Sequence, residues 1–146
     1  MELEVLHGVT AADDRELLSR LGSMAIQRGW AREGYVEALL EREAAYPTGI
    51  ATASARVALA HADPVWVRQA ALLVAVLDEP VLFRSMENPS ETIPIDTVFL
   101  MLIDKPESHL TLLGQLVNLV QSSRFPEMRS GLTVSELKEE LEREGV

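Results

Sequence analysis

The run "IDTVFLMLI", residues 95–103, constrains the fold of this chain more than any other stretch. From Val98 onward it is uninterruptedly apolar, so neither face can be left to water. A strand of this kind is stable only in the interior of a sheet covered on both sides. It is also far too short to cross a bilayer. A second run, "QAALLVAVL" at 69–77, and a shorter one, "RVALA" at 56–60, have the same character. The chain therefore needs helices on both faces of a sheet, and the remaining segments supply them.

Thr10 with Asp13 three residues on predicts a capping box. Leu17, Leu21 and Met24 follow at helical spacing until Arg28 and Gly29 form a C-cap. From Glu33 to about Ala45, Val36, Leu39 and Leu40 share one face and Pro47 forbids continuation. Asp104 and Glu107 frame a helix start at Pro106, whose buried stripe is Leu113, Leu116, Val117 and Val120 before Pro126. A last helix begins at a Thr133/Glu136 capping box and presents Leu137 and Leu141 to the body. The alternation Glu2, Leu3, Glu4, Val5 predicts a short half-exposed strand ended by Gly8. "DEP" at 78–80 reads as a turn before a short strand "VLF", and "SMENPSETIP" at 85–94 as a loop. Together these predict one α/β domain over residues 1–146, with a central mixed, mostly parallel sheet and helices on both faces.

The 146 residues contain no cysteine, which excludes disulfides, thiolate metal sites and cysteine nucleophiles. A formal net charge of -10 repels a phosphate backbone, so general nucleic-acid binding is disfavoured and a basic protein partner is favoured. The N-terminal residues lack the basic and apolar regions of a signal peptide, and no apolar run could span a membrane. The expectation is a soluble, cytoplasmic protein.

Covalent chemistry would then fall to histidine, and the chain has three. His61 ends the apolar strand "RVALA", at the carboxyl end where α/β proteins place ligand sites. It could be a nucleophile, a general base, a metal ligand with Asp63, or a polar residue finishing a strand, and for a lone histidine the last is the commonest role. Two other polar groups sit where elements end. Arg42 lies in the last turns of the second helix, and His109 lies in the first turn of the helix begun by Pro106, where unpaired N–H groups favour anions. An Arg, two His and a helix start suit a phosphoryl pocket. By itself Arg42 reads as a solvated charge or a dipole partner. A metal site is disfavoured because no His-x-x-x-His or Glu-x-x-His pair occurs, a serine hydrolase because no Gly-x-Ser-x-Gly elbow occurs, and nucleotide binding because neither a P-loop nor a Gly-x-Gly-x-x-Gly is present. His7 is assigned no role, and Trp30, Tyr46 and Trp66 are read as packing or surface residues.

The segment "LEREAAYPTGIAT", followed by a short apolar strand ending in a histidine, resembles the enzyme IIA domains of the bacterial sugar phosphotransferase system, in the fructose, mannitol and galactitol superfamily. The stretch from Met86 to Leu113 looks closest to the galactitol-type branch. The resemblance implies a phosphocarrier in uptake of a hexitol-type sugar such as galactitol, without cofactor or metal, and touching the membrane component only indirectly. His61 matches the histidine that takes a phosphoryl group from HPr and passes it to a cysteine of enzyme IIB. Arg42 matches the arginine placed beside the phosphate, and His109, in "KPESHL", the second histidine near the site. The family pattern has proline before the active histidine, whereas this chain has Ala60, and Ala62 stands where glycine or a small polar residue is common. That departure favours a second reading, a regulatory relative that signals by phosphorylation-dependent binding to a target protein.

Overall fold

The computed structural model describes residues 1–144. In chain order the elements are β1 (Glu2–Val9), α1 (Asp14–Gln27), α2 (Tyr35–Ala45), β2 (Gly49–Ala51), β3 (Arg56–His61), β4 (Ala71–Arg84), β5 (Thr92–Leu102), α3 (Pro106–Gln121), α4 (Phe125–Ser130) and α5 (Val134–Glu144). One sheet runs in the order β1-β4-β5-β3-β2. The β1–β4 and β3–β5 pairs are parallel, and the β4–β5 and β2–β3 pairs antiparallel. The expected mixed sheet is thus present, with the strongly apolar β5 at its centre.

Helices cover both faces, as the central strands demand. Residues alternate between two cores because successive side chains point to opposite sides of a strand. Ala58, Ala60, Leu73, Ala75, Val98 and Leu100 pack with Leu17, Leu21 and Leu39 of α1 and α2. Val57, Leu59, Leu72, Val74, Phe99 and Met101 pack with Leu112, Leu116, Phe125 and Leu137 of α3, α4 and α5. Each Val, Leu, Phe or Met among them contributes about 1.5–3 kcal/mol when fully buried, and each Ala less. The α5 stripe of Leu137 and Leu141 is buried as expected, and the capping box closes reciprocally, with Glu136 N–H donating to Thr133 Oγ1 at 3.1 Å and Thr133 N–H to Glu136 Oε1 at 3.2 Å.

Several local expectations are corrected. Helix α1 is capped by Asp13, whose carboxylate accepts from Glu16 N–H at 2.8 Å, so Thr10 is not the cap. Helix α2 starts at Tyr35 rather than Glu33, because Gly34 takes the left-handed conformation at its N-cap. "DEP" is no turn. Strand β4 runs through it, with Val76 pairing Thr97 and Val81 pairing Ile95, so the chain bulges between them. Pro80, lacking an N–H, falls where the ladder is interrupted anyway. Gly8 likewise lies inside β1 at an irregularity between Leu6 and Val9. The 85–94 loop shrinks to a turn closed by Ser85 N–H donating to Glu91 C=O at 2.9 Å. Pro126 follows α3 at the start of an extra helix, α4.

Candidate active site

Strands β3 and β5 run parallel and end together, and α3 starts three residues after Ile103. Their ends, with the end of α2, enclose a cleft of about 320 Å³ lined by Arg42, His61, Asp63, Met101, Pro106 and His109 among others. Val57 and Leu59 face α3, and by the same alternation so does His61. The His61 and His109 rings lie 4.6 Å apart between centroids, tilted by 56°. Arg42 reaches the same point from α2, on the opposite face of the sheet, with Nη2 3.5 Å from His61 Nε2. The three residues singled out in the sequence therefore converge, and His7 lies elsewhere, bonded through Nε2 to Leu132 C=O at 2.7 Å.

His61 is held in one tautomer. Its Nδ1 lies 3.1 Å from Leu59 C=O, which can only accept, so Nδ1 carries the proton and Nε2 presents its lone pair to the cleft. Burial holds the His61 imidazole below its ordinary value of 6.5 against the Leu59 hydrogen bond and Asp63, and the nearby His109 and Arg42 charges push it the same way. His109 is lowered too, by burial and then by Arg42. Both shifts favour the neutral ring at pH 7, which leaves the Nε2 lone pair of His61 free to act as a nucleophile or base. A proton NMR titration should place the His61 midpoint below 6.5. Any nucleophilic reaction at Nε2 should slow as pH drops through that midpoint, because protonation removes the lone pair; a midpoint above 6.5 would contradict this environment.

The segment joining Arg42 to His61 is fixed by residues the sequence reading did not single out. Glu43 is buried, and its carboxylate accepts from Thr48 N–H at 2.9 Å and from Thr48 Oγ1–H at 2.7 Å. Thr48 C=O in turn accepts from Leu59 N–H at 3.2 Å, tying the clasp to β3. Gly49 is required by proximity: a Cβ there would stand 2.7 Å from Arg84 C=O. The visible signal was a glutamate five positions before the threonine of "PTG", directly after Arg42.

Burial raises the Glu43 carboxyl above its ordinary value of 4.5. The folded state thus prefers the protonated form, so the contribution of Glu43 to stability is greatest below 4.5 and declines as pH rises through the raised native value. Glu43→Gln, which can still accept from Thr48 N–H, should be near-neutral and lack that decline. Glu43→Ala strands two buried donors and should cost about 1–3 kcal/mol. Thermal melts of both variants across this pH range check the pair, and equal losses would refute the clasp.

Residues 2–141 match the family model described as phosphoenolpyruvate-dependent sugar phosphotransferase system, EIIA 2. The chain belongs to this family. It is 25% identical over 137 residues to the galactitol-specific EIIA component of Escherichia coli K12, covering 94% of this chain and 91% of that protein. Solved structures share the fold. The complex of mannitol enzyme IIA with phosphorylated mannitol enzyme IIB from Escherichia coli superposes with a TM-score of 0.74 at 20% identity, covering 95% of this chain and 94% of that one. The nitrogen regulatory protein IIA-Ntr of Neisseria meningitidis gives 0.72 at 22%, covering 94% and 92%. As an EIIA component, the chain is a phosphotransferase-system protein with a phosphocarrier role in sugar transport. None of its described helices is long and apolar enough to cross a membrane.

Proposed function

We propose that this EIIA protein accepts a phosphoryl group on His61 Nε2 from phospho-HPr and delivers it to a cysteine of enzyme IIB, in the cytoplasm, for uptake of a hexitol-type sugar such as galactitol. The observation that carries the reading is the tautomer of His61, with Nδ1–H committed to Leu59 C=O and Nε2 facing the cleft beside Arg42. In the first transfer the Nε2 lone pair forms a new P–N bond while the P–N bond to the donor imidazole breaks, its electron pair returning to the donor. In the second, the IIB thiolate attacks phosphorus and the pair returns to Nε2. The protein has little bond chemistry of its own to do, and aligns the partners and steadies charge on the equatorial oxygens.

Arg42 supplies the cation for those oxygens, and neutral His109 supplies a ring N–H donor from the opposite wall. Helix α3 starts at the cleft with Pro106 in its first turn and no side-chain cap, so its positive end adds to the same field. The acidic surface suits a basic HPr face and speeds encounter. Galactitol is favoured by the galactitol-specific relative, 25% identical over 137 residues, and the IIB partner by the mannitol complex. The test is incubation with phosphoenolpyruvate, enzyme I and HPr, then intact-mass measurement and site mapping. An acid-labile, base-stable group on His61 is expected, followed by transfer to a IIB cysteine. Phosphorylation without onward transfer would favour the regulatory reading, to which Ala60 lends weight.

A further inference from the structure

Arg42 is in an unusual position for a cation. Among the described residues it makes no salt bridge, and its Nε is buried with no hydrogen-bond partner. Carboxylates are nonetheless at hand. Arg42 also lines a second groove, of about 750 Å³, that does not include His61 and is lined by Glu37, Glu41, Tyr46 and Trp66, with Asp63 shared between the two. A flexible guanidinium in such a place would be expected to turn toward those acids and satisfy itself.

What opposes that turn is Tyr46. The guanidinium carbon lies over its ring, 4.7 Å from the centroid, within cation–π range. The Tyr46 backbone closes the end of α2, its N–H donating to Arg42 C=O at 2.8 Å, so the ring is carried on the same turn as the charge it covers. An aromatic side chain 64% exposed beside a polar cleft gains little from burial, and its position is better accounted for by the cation it covers. We propose that Tyr46 is a positioning residue, which keeps Arg42 aimed at His61 and away from the carboxylates of Glu37 and Glu41, leaving the guanidinium unpaired for an incoming phosphoryl group. The proposal rests on the reading of His61 as phosphoryl acceptor.

The test compares Tyr46→Leu with Tyr46→Phe, each in the parent and in an Arg42→Ala background. At saturating phospho-HPr, Tyr46→Leu should slow phosphorylation by about two- to fivefold, the population change an exposed ring–guanidinium contact supports, while Tyr46→Phe keeps the parental rate. In the Arg42→Ala background Tyr46→Leu should have no further effect. A partner-free measurement stands beside the kinetics, the NMR titration of His61. The charged and titratable groups around that ring are Arg42 from α2, His109 from α3 and Asp63 after β3. Tyr46→Leu should move the midpoint upward as the Arg42 charge withdraws, and Tyr46→Phe should not. Equal losses in both backgrounds would show that the ring acts on the partner rather than through Arg42, and would overturn the proposal, as would an unmoved midpoint. Should the parent protein take no phosphate, the phosphocarrier reading fails, and the titration still decides the role of Tyr46.

Discussion

His61→Gln should leave the fold intact and reduce phosphoryl acceptance from phospho-HPr to nothing detectable. The side chain is only half-buried at the end of β3, and its one backbone contact, to Leu59 C=O, is of a kind that the glutamine amide can also make. The glutamine, however, has no lone pair of comparable basicity to offer phosphorus. Removing the only acceptor atom removes a covalent step entirely, unlike the loss of a helper, so the expected effect is total. His109 lines the same cleft from α3, but among the described residues no backbone acceptor sets its tautomer in the way Leu59 sets that of His61, so it is not expected to substitute. Intact-mass measurement after incubation with phosphoenolpyruvate, enzyme I and HPr reads the result, with a thermal melt to verify folding. A Gln variant that still gains phosphate would mean that another residue is the nucleophile.

Arg42→Ala is the second large effect. Its guanidinium is the cation nearest Nε2, at 3.5 Å, and it is already in place before any phosphate arrives. Loss of one preorganised donor to a developing charge typically costs about 10²–10³ in rate, and this donor carries a full charge. Stability should change by about half a kcal/mol or less, because Arg42 forms no salt bridge among the described residues and its Nε bonds nothing. Arg42→Lys should fall between parent and Ala, since it keeps the charge but loses the planar fork. Single-turnover phosphorylation of the three proteins gives the comparison. Rates within twofold of the parent for Arg42→Ala would return this residue to the role of a solvated helix charge.

Much of the fold was legible because its signals are local. Leu17, Leu21 and Met24 announced α1 by spacing, and the Thr133–Glu136 pair announced α5 by its cap. The failures share a cause. "DEP" has turn composition, yet β4 continues through it because β5 offers ladder partners on both sides of the bulge, which local reading cannot supply. Thr10 and Asp13 both have capping side chains, and which one caps depends on where β1 releases the chain.

At the site, sequence alone determined the residue types: a chain without cysteine, a histidine closing a buried strand, an arginine at the end of a helix and a second histidine at the start of another. These follow from period, punctuation and composition, each carried by neighbours in the chain. Only the tertiary structure decided that the three meet. Arg42 and His61 come from opposite faces of the sheet, and His109 is brought in because β3 and β5 end side by side. The Leu59 carbonyl that leaves Nε2 free, the Glu43–Thr48 clasp and the Tyr46 ring over Arg42 belong to the same class. Each is a distance between groups that the backbone path, not the order of residues, brings together, and so each awaited the fold.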